Sequence, residues 1–119
     1  MAGILVLASP NPAWAYDRNF DKFDINRVSA DVMRIAIALS LVASQNPPQD
    51  CLADVPVVVK KVRRGADLVI ARGRTDEDGR LNKRTKRRRG RFYAIAKRHI
   101  TQAGNECYES RSPTIAFRD

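Results

Sequence analysis

Histidine occurs once in the 119 residues, cysteine twice, and glycine and proline six times each. A zinc site has too little to draw on, because two cysteines and the distant His99 fall short of four ligands at the usual spacings. The chain also lacks a glycine-rich phosphate loop, paired carboxylates on an ordered element, and a nucleophile accompanied by a base and an orienting residue. These absences argue against an enzyme and against a bound metal or cofactor. His99, following Lys97 and Arg98 at a strand end, reads as an exposed polar residue. Long apolar runs are absent too. The run 35–43 rises only about 14 Å as a helix, where a bilayer core needs roughly 20 residues, so no membrane span is expected.

Positive charge is what the chain has in excess. Twenty-two Lys and Arg against 13 Asp and Glu give a net charge of +9. Residues 1–50 carry only Arg18, Lys22, Arg27 and Arg34, balanced by acids, so the excess belongs to residues 51–119. Its densest part is the stretch 80–98, which holds Arg80, Lys83, Arg84, Lys86, Arg87, Arg88, Arg89, Arg91, Lys97 and Arg98 and no acid. Such a surface attracts polyanions through net charge alone, whether nucleic acid, acidic cell-envelope polymer or anionic headgroups. The residues from Lys83 to Arg98 are therefore the candidate polyanion-binding set, and Phe92 and Tyr93 beside them offer rings on which bases can stack. A second reading of the same run is a solvated outer strand face, with Phe92 in the core.

The first fifty residues read as a leader distinct from the domain that follows. Residues 1–15 have an apolar run from Ala2 to Ala8 and the small-residue pattern Ala13-Trp14-Ala15, but no basic n-region. A second signal-like stretch starts at Met33-Arg34, continues through the apolar or small residues 35–43, and offers a cut before Gln45. The alternative is that residues 28–44 form a helix packed on the domain, capped by Ser29 with Asp31 in its first turn. The segment 45–50, with Pro47 and Pro48, makes the boundary, since paired prolines end a helix.

Beyond it the pattern becomes extended. Val55, Val57 and Val59 share one face of a first strand, and Pro56 marks an edge or a strand start. Residues 68–74 form a second strand, and Asp78-Gly79 supplies the positive φ of a tight reversal, predicting a hairpin with a returning edge strand at 80–85. Residues 91–98 form the strongest strand, with Phe92, Ala94 and Ala96 facing the core. A last strand, 113–118, points Ile115 and Phe117 inward. Asp76, Glu77 and Asp78 lack the spaced oxygens of a calcium loop and read as a solvated turn. About five short strands at hairpin spacing predict an all-β antiparallel sandwich preceded by a helical or signal-like segment.

Cys51 and Cys107 bracket these strands. A disulfide between them closes most of the domain into one loop, worth about 4 kcal/mol by the chain-entropy argument, and a domain this small benefits from that staple. Two buried free thiols are the alternative.

The stretch from Cys51 through the Val-rich strand, then Thr75-Asp76-Glu77-Asp78-Gly79-Arg80, Arg88-Arg89-Gly90-Arg91-Phe92-Tyr93-Ala94, and Cys107 with Ser110 and Ser112, resembles the immunoglobulin-like and carboxypeptidase-regulatory-like sandwich modules of secreted bacterial proteins. The resemblance covers residues 51–119 and none of the first fifty. It implies a sandwich fold, an extracytoplasmic setting and adhesive or spacer roles, and it carries over no functional residue. Transthyretin-like hydrolases of hydroxyisourate share this shape, but their several histidines and Tyr-Arg-Gly-Ser terminus are missing here, where His99 stands alone and the chain ends Ala116-Phe117-Arg118-Asp119.

The expectation is a secreted or cell-envelope, non-enzymatic module acting through a basic surface on an acidic envelope polymer or another protein. The alternatives are a cytosolic nucleic-acid-binding protein with reduced cysteines and a structural spacer without a ligand.

Overall fold

The computed structural model describes residues 15–28, 31–43, 48–86 and 89–118. In chain order the elements are β1 (Ala15–Tyr16), β2 (Asn19–Val28), β3 (Asp31–Val42), a 3-10 turn (Gln49–Cys51), β4 (Pro56–Lys61), β5 (Leu68–Arg74), β6 (Arg80–Lys86), β7 (Gly90–Ala96), β8 (His99–Ile100), β9 (Glu106–Cys107), β10 (Ser110–Arg111) and β11 (Ile115–Phe117). The expected all-β fold with one disulfide is what the chain adopts. Two sheets face each other, one in the order β2-β3-β6 and the other β10-β7-β4-β5 with β11 also on β7. β1, β9 and β8 form a small third sheet in the order β1-β9-β8.

The helix expected over residues 28–44 is not formed, and β3 occupies its place. The reason lies in residue size. From residue 35 onward large and small side chains alternate strictly: Ile35, Ile37, Leu39 and Leu41 against Ala36, Ala38 and Ser40. A period of two puts all four large side chains on one face of a strand, whereas a helix would scatter them around its axis. Reading alanine as merely apolar hid that alternation. β2 repeats the pattern, burying Phe23 and Ile25 and exposing Lys22, Asp24 and Asn26. Ser29, the expected cap, and the signal-like residues 1–14 lie outside the described residues, as do Arg87, Arg88 and residues 44–47.

The core joins both sides of the boundary drawn at residue 50. Ile35, Ile37, Leu39 and Leu41 pack in one cluster with Val55, Val57, Val59, Phe92, Ala94 and Ala96. Residues 19–42 thus supply two of the three strands in one facing sheet, and their large side chains share a single core with residues 51–119. The expected inward set Phe92, Ala94 and Ala96 is fully buried, and Phe117 is buried beside it.

The reversal at Asp78-Gly79 is present, but it does not make a paired hairpin. β5 pairs with β4 and β6 pairs with β3, so the chain crosses from one sheet to the other at this turn. Asp76 organises the crossing: its Oδ1 accepts from the amides of Asp78 and Arg80 at 2.8 and 3.0 Å. Gly79 has φ +81°, and a Cβ there would lie 2.9 Å from the Leu41 carbonyl oxygen. Its own carbonyl accepts from Leu41 N at 2.8 Å, which ties the turn to the end of β3. Local turn chemistry was legible, but the choice of partner strand depends on which sheet buries Leu81, and here Leu81 lies opposite Leu39.

Cys51 and Cys107 are joined, with Cα atoms 5.5 Å apart, and both are fully buried. Next to them lies Arg18, only 2% exposed. Its guanidinium donates to the carbonyls of Lys97 (2.8 Å), Tyr108 (3.0 and 2.5 Å), Cys51 (3.2 Å) and Cys107 (3.3 Å). Burial lowers its pKa, and the planar fork satisfies carbonyls from four backbone positions at once, which no other side chain has the donors to do.

Candidate polyanion-binding face

The outer face of the β10-β7-β4-β5 sheet follows from the register of its strands. With Phe92, Ala94 and Ala96 turned inward, Arg91, Tyr93, Ile95 and Lys97 turn outward. Ile95 lies opposite Arg111 on β10 and Val58 on β4, and Val58 lies opposite Arg72 on β5. Tyr93 lies opposite Lys60, and Pro56 opposite Arg74. The amide of Lys97 donates to the Pro56 carbonyl at 3.1 Å and extends the same rows. Four strands therefore bring Lys60, Arg72, Arg74, Arg91, Lys97 and Arg111 to one surface around an apolar midline of Val58, Tyr93 and Ile95. That midline is well covered, with Val58 5% and Tyr93 4% exposed. Arg111 lies over the Tyr93 ring and covers part of it. Between Arg72, Arg74 and Lys97 the face dips into a depression of about 290 Å³ floored by Pro56 and Val58.

The Tyr93 ring on this face is engaged. Arg111 stacks 3.8 Å over the Tyr93 centroid, and the Tyr93 hydroxyl donates to Asp67 Oδ2 at 2.5 Å. The Arg63 amide donates to the other oxygen, Oδ1, at 3.3 Å. The Tyr93 hydroxyl first, and the Arg63 amide second, hold the Asp67 carboxyl below its ordinary pKa. The same bond to Asp67, followed by burial, pushes the Tyr93 phenol up. Asp67 therefore stays ionised and Tyr93 stays protonated across the neutral range, so the pair is a fixed structural element.

The described residues of the expected set Lys83 to Arg98 are divided between the two sheets. Lys83, Arg84 and Lys86 belong to β6, an edge of the opposite sheet, where Arg84 and Lys86 lie in register with Ala36 and Arg34 of β3. Arg89 leads into β7, and Arg91 and Lys97 fall on the face described above. Arg98 is paired with Glu106, Nε to Oε2 at 2.5 Å. Arg87 and Arg88 lie outside the described residues. Sequence reasoning missed Lys60, Arg72, Arg74 and Arg111, which come from separate strands. The signal that could have found Arg72 and Arg74 is their two-residue spacing on a strand whose other face holds Ala71 and Gly73. Arg74 is partly neutralised by Asp54 at 3.6 Å. Arg72, Arg91 and Lys97 make no side-chain hydrogen bond or ion pair among the described residues.

His99 Nε2 is 3.1 Å from the Asp50 carbonyl oxygen, to which its N–H donates. No group of three His, Cys, Asp or Glu able to hold a metal occurs among the described residues, and no described helix is long and apolar enough to cross a membrane. No family model, curated protein or solved structure matches the chain.

Proposed function

We propose that this chain is a secreted or cell-envelope module that binds an anionic polymer through its basic sheet face and catalyses no reaction. The observation that carries the reading is the convergence of Lys60, Arg72, Arg74, Arg91, Lys97 and Arg111 on one outer sheet surface. Cations from four strands at strand spacing form an extended field, which suits a repeating anion better than a single small one. The disulfide supports an oxidising compartment, since such bonds are rare where thiols are kept reduced. The resemblance of residues 51–119 to secreted sandwich modules supports the same setting.

Recognition in this reading rests on charge. Phe92 is 0% exposed and the Tyr93 ring is covered by Arg111, so neither offers the open aromatic platform that base stacking requires. Acidic envelope polymer is therefore the favoured ligand over single-stranded nucleic acid.

The test is retention on immobilised polyanions as a function of salt. Binding by counterion release falls steeply as salt rises, and the triple variant Arg72→Gln, Arg91→Gln, Lys97→Gln should elute at markedly lower salt than the parent. An unchanged elution point would leave a spacer without a ligand. Recovery of the native protein from the cytosol with free thiols would instead favour the nucleic-acid-binding alternative.

A further inference from the structure

We propose that a depression between the start of β7 and the end of β11 seats a phosphate ester. It rests on the polyanion reading above for the class of ligand and names phosphate as the group recognised. Arg89, Arg91 and Arg118 line it over a floor of Gly90, Ala116 and Phe117, and its volume is about 510 Å³. The register of β11 on β7 assembles it, placing Phe117 opposite Gly90 and Ala116 opposite Arg91. Nothing in the local sequence links Arg118 to the arginines of the stretch 80–98; the pairing of the two strands does.

Gly90 sits at φ +139°, and a Cβ there would come within 2.8 Å of Lys61 Cε. Glycine at this point leaves room for the Lys61 stem to pass. Arg91 and Arg118 are exposed, and neither side chain has a hydrogen-bond or ion-pair partner among the described residues. Guanidinium forks match phosphate oxygens two at a time, and several of them around one point favour a compact, multiply charged oxyanion. The apolar floor and the volume, much larger than a bare ion, leave room for the carbon skeleton of an ester. A phosphate-bearing unit of a polymer fits both features, whether it comes from a glycerol-phosphate chain or from a nucleic acid.

The test is an NMR titration of the intact protein with glycerol 3-phosphate, following the arginine Nε–H signals. The Arg91 and Arg118 signals should shift with one-to-one saturation, and glycerol should produce no shift. The double variant Arg89→Gln, Arg118→Gln should bind at least about tenfold more weakly, the loss expected for charge-assisted hydrogen bonds. The double variant Arg72→Gln, Lys97→Gln, altered only on the sheet face, should titrate like the parent. Unchanged affinity in the first variant, or no saturable shift in the parent, overturns the seat.

Polymer arms separate this proposal from the broader one. Poly(glycerol phosphate) and a single-stranded oligonucleotide should both lose affinity in the Arg89→Gln, Arg118→Gln variant, and the stronger binder identifies the source. A phosphate-free polyuronate should be insensitive to it. Equal sensitivity of the polyuronate overturns the phosphate preference. A parent that saturates with glycerol 3-phosphate but retains no polymer supports the seat and overturns the function proposed above.

Discussion

Arg111 and Tyr93 are stacked, guanidinium over ring at 3.8 Å, and the Tyr93 hydroxyl is simultaneously bonded to Asp67. One tyrosine thus pins a loop acid and a β10 cation to the sheet face. It has a pH signature. Asp67 is depressed in the folded state, so its contribution is full above the ordinary carboxylate pKa and is lost as pH falls through the lower folded value. Tyr93 is raised, so its contribution is full below the ordinary phenol pKa and is lost as pH rises through the higher folded value. Thermal melts of the Tyr93→Phe variant should lie below the parent by a constant margin through neutral pH. The margin should shrink at both extremes; one that is flat from acid to alkali would show that the bond does not couple to folding.

Arg18 should be among the most sensitive positions in the chain. Arg18→Met leaves the carbonyls of Cys51, Lys97, Cys107 and Tyr108 without their donor in a closed site, and a loss of about 3 kcal/mol is expected. Arg18→Lys should not restore it, because a point ammonium cannot reproduce the planar fork. Urea midpoints of the three proteins check this.

The disulfide should resist reductant in the native state and yield only on unfolding, since both sulfurs are buried. The Cys51→Ser, Cys107→Ser variant should lose up to about 4 kcal/mol, the entropy of the closed loop. Reduction kinetics with and without denaturant, followed by intact mass, provide the measurement.

The β2–β3 hairpin should be indispensable to the fold. Ile37→Ala removes a fully buried side chain from the cluster it shares with Val57 and Phe92, at a cost of about 3 kcal/mol. A chain beginning at residue 45 should show no cooperative unfolding transition, because its remaining inner face would be left open to water. A cooperative melt from that fragment would restore the reading of residues 1–44 as a removable leader.

Much of the fold was legible before any coordinates. The strands at 68–74 and from Gly90 onward and the inward set Phe92, Ala94 and Ala96 follow from alternation and turn chemistry, which act over a few residues, while the Cys51–Cys107 pairing follows from two cysteines that bracket the strands. β3 was legible in principle, since Ile35, Ile37, Leu39 and Leu41 alternate with smaller neighbours, but the signal lies in side-chain size rather than polarity. Arg18 carried none: a lone arginine among polar residues looks like surface, and only the arrival of four carbonyls from distant segments makes its burial tolerable.

The basic face divides along the same line. Net charge, the run of cations from Arg80 to Arg98 and the single histidine are read directly from the chain. Which cations share a surface is decided by strand register. Pairing sends Lys83, Arg84 and Lys86 to one sheet and Arg91 and Lys97 to the other, and gathers Lys60, Arg72 and Arg111 beside the latter. Neighbours in the chain take opposite faces of a strand, while neighbours on a face are contributed by other strands. A linear charge pattern therefore states how much charge there is, and the hydrogen-bonded register states where it points.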